Sequence, residues 1–332
     1  MKVCFIIPYF GHLPNYFSLF LKTCAYNKNF DWLLITDDPT PYNYPNNFRV
    51  IYMSFEENYS LIQSKFDFQV ALERAYKLCD YKPAYGYIYS EFLKGYSHWG
   101  HCDTDMLMGD LDSFLTNQLL DEYDKLFCLG HMTIYRNTED NNKIFMNDLE
   151  GIPIYKNVYS SNASYCFDEV WKDDFNVNTL FKRAGKSIFP IDYSLNIDFG
   201  STKFVRVVYV GKDEPNNGHG YVYETYKPSV YLWENGHIVR YFKNNNELKR
   251  EEYMYLHLQK RKMKNFVDNQ VSIIKIVPNS FLPLEFDKVT VDNFVKIKKK
   301  DINSHFLRIK IFPRLKQLRK KLGILKSATY RV

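Results

Sequence analysis

Apolar residues in this chain come in short blocks divided by polar turns, and the spacing within the blocks changes along the sequence. The run Val3-Cys4-Phe5-Ile6-Ile7 stops at Pro8 and predicts a short buried strand over residues 2–8. A loop over 10–14 leads to an amphipathic helix from about 15 to 26. Strands at 32–36 and 49–53 follow, separated by a turn rich in Asp, Pro and Asn. This strand, helix, strand, turn, strand order is an α/β opening. Leu61, Ile62, Phe66, Val70, Leu72, Ala75 and Leu78 fall near helical spacing and predict a helix over 59–79, which Lys82-Pro83 breaks. Another helix then runs to about residue 94.

A strand carrying Asp103 and Asp105 comes next, then a strand over 126–136. Helical segments around Lys143 and Thr179 flank a loop holding Phe167-Asp168-Glu169. From residue 187 the pattern turns strand-like, at 204–210, 221–226, 231–242 and 252–258, with Glu234-Asn235-Gly236 as a hairpin turn. A boundary is expected near 264–271. It divides the chain into a domain over 1–265 and an extension over 266–332.

The composition is that of a folded chain: 332 residues, 45% hydrophobic and 25% charged, enough to bury a large core. The six cysteines have no Cys-x2-Cys pairing and mostly sit in apolar runs, which reads as buried thiols in a reducing compartment. The first apolar run is too short for a signal peptide, and no run approaches the roughly 20 residues of a membrane span. Neither Gly-x-Gly-x-x-Gly nor a P-loop lysine motif occurs, so dinucleotide and P-loop chemistry are not indicated. The net charge of +6 is small, but from Lys296 to Arg331 the basic residues face Asp301 alone.

The most informative stretch is Trp99-Gly100-His101-Cys102-Asp103-Thr104-Asp105. Residues i and i+2 point the same way where a strand emerges, so both carboxylates can converge on one hard divalent cation such as Mg2+ or Mn2+, bridged to a diphosphate. The alternative is a helix cap or a turn.

Five segments occur together and in order: Ile7-Pro8-Tyr9-Phe10-Gly11, Asp31-Trp32-Leu33-Leu34-Ile35-Thr36-Asp37, Lys82-Pro83-Ala84-Tyr85-Gly86, the Asp103/Asp105 stretch and His257-Leu258-Gln259-Lys260-Arg261-Lys262. Over residues 1–265 the chain resembles bacterial polysaccharide-biosynthesis proteins of the GT-A glycosyltransferase type, from capsule and O-antigen loci. The resemblance implies an α/β, Rossmann-like GT-A domain, a UDP-sugar donor (galactose or glucose) and Mn2+ or Mg2+. By that analogy Asp103 and Asp105 hold metal and ribose-diphosphate together with Thr104, and His257 completes the metal shell or is a core histidine. Lys82, Lys260 and Arg261 become diphosphate contacts or surface cations. Pro8, Tyr9 and Asp37 neighbour the nucleotide base, and His131 and Arg136 become candidates for acceptor or donor-sugar contact. Asp168-Glu169 resembles the base pair of inverting enzymes with the order reversed, which leaves open which carboxylate is the base, or whether the pair caps a helix.

The tail places Leu315, Leu318, Leu322 and Leu325 on one helical face among cations. It suits an anionic membrane surface carrying a lipid-linked acceptor, or else docks on the domain or on a sister subunit. The expectation is a cytoplasmic transferase held peripherally at the inner membrane. The rival is a silent GT-A-like protein binding sugar or nucleic acid. The latter is disfavoured because the basic residues lie far in sequence from the aromatics.

Overall fold

The computed structural model describes residues 1–171, 174–198, 202–211, 219–268 and 270–321. The first half supplies β1 (Val3–Tyr9), β2 (Phe30–Thr36), β3 (Phe48–Tyr52), β4 (His98–Cys102), β5 (Met106–Met108), β6 (Lys125–Leu126) and β7 (Met132–Arg136). After these come β8 (Ile188–Phe189), β9 (Ser194–Ile197), β10 (Phe204–Tyr209) and β11 (Tyr221–Tyr223). The remainder are β12 (Ser229–Glu234), β13 (His237–Asn244), β14 (Glu247–Tyr253), β15 (Tyr255–His257), β16 (Lys264–Asn265), β17 (Ile273–Val277) and β18 (Ser280–Pro283).

Three sheets result. The first runs β3-β2-β1-β4-β7-β6-β8, with β3, β2, β1 and β4 parallel. Its strands are buried on both sides: Cys4, Ile6, Leu33 and Ile35 enter one core, and Val3, Phe5, Ile7, Trp32 and Leu34 the other. That is why their sequences read as unbroken apolar runs. Strand order reverses between β1 and β4, and in an open α/β sheet the crevice beyond the carboxyl ends at such a point is where ligands bind. Tyr9 and Asp103 emerge there side by side.

The second sheet, β11-β10-β9-β15-β5, contributes Asn196, Tyr223 and His257 to the cavity wall, and the third runs β14-β13-β12-β17-β18-β16. The Asn235-Gly236 turn forms as expected, with both residues at positive φ (49° and 94°), and Asn245-Asn246 makes a second turn of that kind (47° and 64°).

Helix α1 (Phe17–Ala25) lies where the pattern put it, but α2 (Phe55–Gln63) ends far short of the helix expected over 59–79. The apolar spacing beyond Gln63 belongs to Phe66 packing on Phe68, Tyr155 and Tyr159 rather than to a helical face. Residues 75–93 are a chain of short turns instead of one helix. The strand expected over 126–136 is a hairpin, β6 and β7, with Phe127 at φ 70° between them. The boundary expected at 265 does not divide the sheets, because β17 hydrogen-bonds to β12 from Tyr231↔Ile276 to Glu234↔Ile273.

A helix over Ser304–Lys321 begins before the expected tail helix and covers its first part. Phe306 is buried, whereas Leu307, Ile311, Leu315 and Leu318 are exposed, and Leu322 and Leu325 lie outside the described residues. Among the described residues no helix is long and apolar enough to cross a membrane. The six cysteines are free.

Candidate active site

Asp103 follows β4 directly and Asp105 precedes β5, so the Asp-x-Asp turn sits at the mouth of the crevice. β15 pairs antiparallel with β5, His257 against Met106, and this sets His257 beside Asp105. The imidazole Nε2 lies 3.5 Å from Asp105 Oδ1 and 3.9 Å from Asp103 Oδ2. Ligand atoms of the three residues all fall within 4.8 Å of one another. A carboxylate, carboxylate, imidazole set suits Mn2+ or Mg2+. His257 Nδ1 donates to Asn196 Oδ1 at 3.1 Å, which leaves Nε2 free for the carboxylate side.

Burial alone would raise the Asp105 carboxyl, yet His257 and the Lys260 backbone N–H hold it down at about 2. Burial opposes charge on His257, and Asp105 then Asp103 raise its pKa nevertheless. Gln259 and Lys260 both adopt left-handed backbone (φ 54° and 55°), the turn that aims the Lys260 N–H at Asp105 Oδ2.

Lys82 reaches the same point from the other side. Its Nζ donates to Asp103 Oδ1 at 2.8 Å and to the Gly130 carbonyl at 2.6 Å, and lies 3.5 Å from Asp168 Oδ2. Although desolvation opposes its charge, Asp103 and Asp168 hold it well above the usual lysine range. Its segment is pressed onto β4: a Cβ at Gly86 would sit 2.2 Å from Trp99 Nε1. Gly130 makes a second close approach, since a Cβ there would come within 2.5 Å of Asp168 Oδ2 and 2.8 Å of Glu169 Oε2.

Asp168 and Glu169 are held by a buried anchor. Asp80, paired with Lys77 at 2.9 Å, accepts from the backbone N–H groups of Tyr165 at 3.0 Å and Phe167 at 3.2 Å. Burial, with Glu169 adding to it against the pull of Lys82, pushes Asp168 up to about 8, and burial likewise raises Glu169. Such a carboxyl is poised to exchange a proton near neutral pH.

Two cavities meet at this cluster. One of about 900 Å3 is walled by Pro8, Tyr9, His12, Tyr16, Thr104, Arg261, Lys262, Lys264 and His305. The other, about 320 Å3, is walled by His131, Asp168, Glu169, Trp171, Asn196, Asp198 and Tyr223. Tyr76, Cys79, Lys82, Asp103 and Lys260 line both and form the waist between them.

The structure thus brings together Pro8, Tyr9, Lys82, Asp103, Thr104, Asp105, His131, Asp168, Glu169, His257, Lys260 and Arg261 around one crevice. His131 is tied to the Tyr255 hydroxyl at 2.7 Å. Arg261 donates to the Asp198 carbonyl at 3.1 Å, and burial lowers its pKa to about 10. Asp37 stands off, its carboxylate accepting from Gly11 N at 2.7 Å to fix the loop after β1. Arg136 is not at the site. β7 runs antiparallel to β4, so Arg136 pairs with His98 at the opposite end of the sheet, where it lies 3.8 Å from Asp124. Asn196, Tyr76, Trp171 and Tyr223 carry no local sequence signal and enter the site only through sheet pairing and loop packing.

The sequence matches the family described as "Family of unknown function (DUF6625)" over residues 5–285. The chain belongs to the DUF6625 family. No curated protein matches this DUF6625 chain. Solved structures similar to it include the galactosyltransferase LgtC in complex with donor and acceptor sugar analogues, at TM-score 0.32 and 10% identity, with 59% of this chain and 76% of that one covered. An active-site mutant of LgtC matches at TM-score 0.32 and 10% identity over 59% and 75% of the two chains. The apo-form glycosyltransferase GlyE of Streptococcus pneumoniae TIGR4 matches at TM-score 0.29 and 12% identity, over 60% of this chain and 46% of that one.

Proposed function

We propose that this chain is a metal-dependent glycosyltransferase of the GT-A type, moving a sugar from a UDP-sugar, galactose or glucose being the first to test, to a lipid-linked surface-polysaccharide acceptor. The observation that carries the reading is the convergence of Asp103, Asp105 and His257 within 4.8 Å at the waist between two cavities of opposite character. A bound Mn2+ or Mg2+ would neutralise diphosphate charge there. Lys260 and Arg261 line the larger cavity and offer fixed positive charge to the departing diphosphate. Tyr9, at the end of β1, offers a ring to the nucleotide base.

On the smaller side Asp168 or Glu169 takes the acceptor hydroxyl proton. As the acceptor oxygen bonds to the anomeric carbon, the bond from that carbon to the diphosphate oxygen breaks and its electron pair leaves with the diphosphate. The product is of inverted configuration. Lys82, charged between Asp103 and Asp168, orients both. The exposed stripe Leu307, Ile311, Leu315 and Leu318, flanked by Arg308, Lys310, Arg314 and Arg319, suits reversible attachment to an anionic membrane, here the cytoplasmic face of the inner membrane.

Calorimetry with UDP tests the reading. Binding that requires Mn2+ or Mg2+ supports it; UDP binding indifferent to metal, or none at all, removes the transferase and leaves a silent binding protein. A screen of UDP-sugar hydrolysis then names the donor.

A further inference from the structure

Trp171 and Tyr223 stand in the wall of the smaller cavity with ring planes 4° apart and centroids 6.3 Å apart. They come from separate parts of the chain, the loop that carries Asp168 and Glu169 and the edge strand β11. Trp171 is held from behind by ring contacts with His219 (4.6 Å, edge-on) and Tyr221 (5.8 Å). Tyr223 leaves 60% of its surface open. An aromatic face so exposed beside a cavity, on a strand whose neighbour Tyr221 is buried, is surface kept for contact rather than for the core.

We propose that Trp171 and Tyr223 form the platform on which the acceptor's sugar ring lies, so that the acceptor is a pyranoside presenting a face of C–H groups. This rests on the transferase reading for its role, though not for its geometry. A pyranose has one such apolar face and a girdle of hydroxyls, and the cavity supplies both complements: the two rings, and the polar groups of Asp168, Glu169, Asp198 and Asn196. Asp168, Glu169 and Asp198 on one small wall leave an acyl chain no dry surface. At about 320 Å3 the space is at the small end for ligand pockets and suits one or two rings rather than a polymer segment.

Trp171 lies two residues beyond Glu169, so a ring resting on it is held next to the carboxylate pair. Tyr223 lies three strands from β15 and His257, or roughly 14 Å at the usual strand spacing. It therefore meets the acceptor on the side remote from the metal ligands.

Saturation-transfer NMR on the full chain, with the methyl glycosides of glucose, galactose, N-acetylglucosamine and rhamnose as probes, tests the platform. At least one glycoside should receive saturation at its ring C–H protons. Tyr223→Ala should weaken its binding by about three- to tenfold, the scale of a single aromatic contact. Tyr223→Phe should restore it, and calorimetric binding of UDP with Mn2+ should be the same in all three proteins. Trp171→Phe, which keeps a ring where alanine would open the packing, should bind within about threefold of the native chain. If no glycoside contacts the native protein, or if Tyr223→Ala binds as well as native, the platform is overturned. A Tyr223-dependent sugar contact without UDP binding upholds the platform and sinks the transferase reading; metal-dependent UDP binding without sugar contact does the reverse.

Discussion

The two cavities share a waist but not a chemistry. The larger is walled by Lys260, Arg261, Lys262, Lys264, His12 and His305, with Asp103 and Asp105 as its acids. The smaller is walled by Asp103, Asp168, Glu169 and Asp198, with Lys82 and Lys260 as its cations. An anionic ligand is drawn to the first, while a neutral polyhydroxyl ligand finds hydrogen-bonding carboxyl groups in the second. Lys82, 2.8 Å from Asp103 and 3.5 Å from Asp168, is the electrostatic partition.

Removing the acid side should hurt most. Of Asp168→Asn and Glu169→Gln, the one that deletes the base should lower turnover by about 10²- to 10⁴-fold, with UDP binding untouched. If both variants lose UDP binding instead, the division of labour between the cavities is broken. On the other side, Asp103→Asn should weaken metal-dependent UDP binding by more than about a hundredfold, beyond the 10–100-fold that loss of an outer partner costs, with the circular dichroism of the fold unchanged.

Asn196→Ala sharpens the comparison, because it removes the shorter of two contacts on His257 Nδ1, leaving Gln259 Nε2 at 3.3 Å, without touching a ligand. Mn2+ affinity measured by calorimetry should fall about 10- to 100-fold. Asp168 supplies a pH test. Its carboxyl, pushed up to about 8, takes a proton only when ionised, so turnover should rise about tenfold per pH unit below 8 and level off above it. Glu169→Gln removes a neighbouring negative charge and should move that midpoint downward. A rate flat from pH 6 to 9 would assign the proton to another group. The smallest effect belongs to the tail: deleting residues from 312 onward should release the protein from anionic liposomes in sedimentation, most clearly at low salt, since each Lys or Arg near such a surface adds about 1 kcal/mol.

How much of this was legible in the chain depends on how local the cause is. Asp103, Asp105 and the parallel strands announce themselves through two-residue spacing and unbroken apolar runs. Asp168 and Glu169 could be picked out, though not their shared contact with Gly130, which exists only because β7 folds back on β4. Arg136 misled because its strand direction could not be read. The helix expected over 59–79 misled because an aromatic cluster mimics helical periodicity. Asn196, Trp171 and Tyr223 were silent, as each is ordinary in its own segment and acquires meaning only beside β15 or the cavity.

Gly86 against Trp99 has a mechanical consequence. The absence of a side chain there lets the segment bearing Lys82 pack directly onto β4, the strand that Asp103 follows. A side chain at position 86 would drive a wedge into that joint and push Lys82 away from both Asp103 and Asp168.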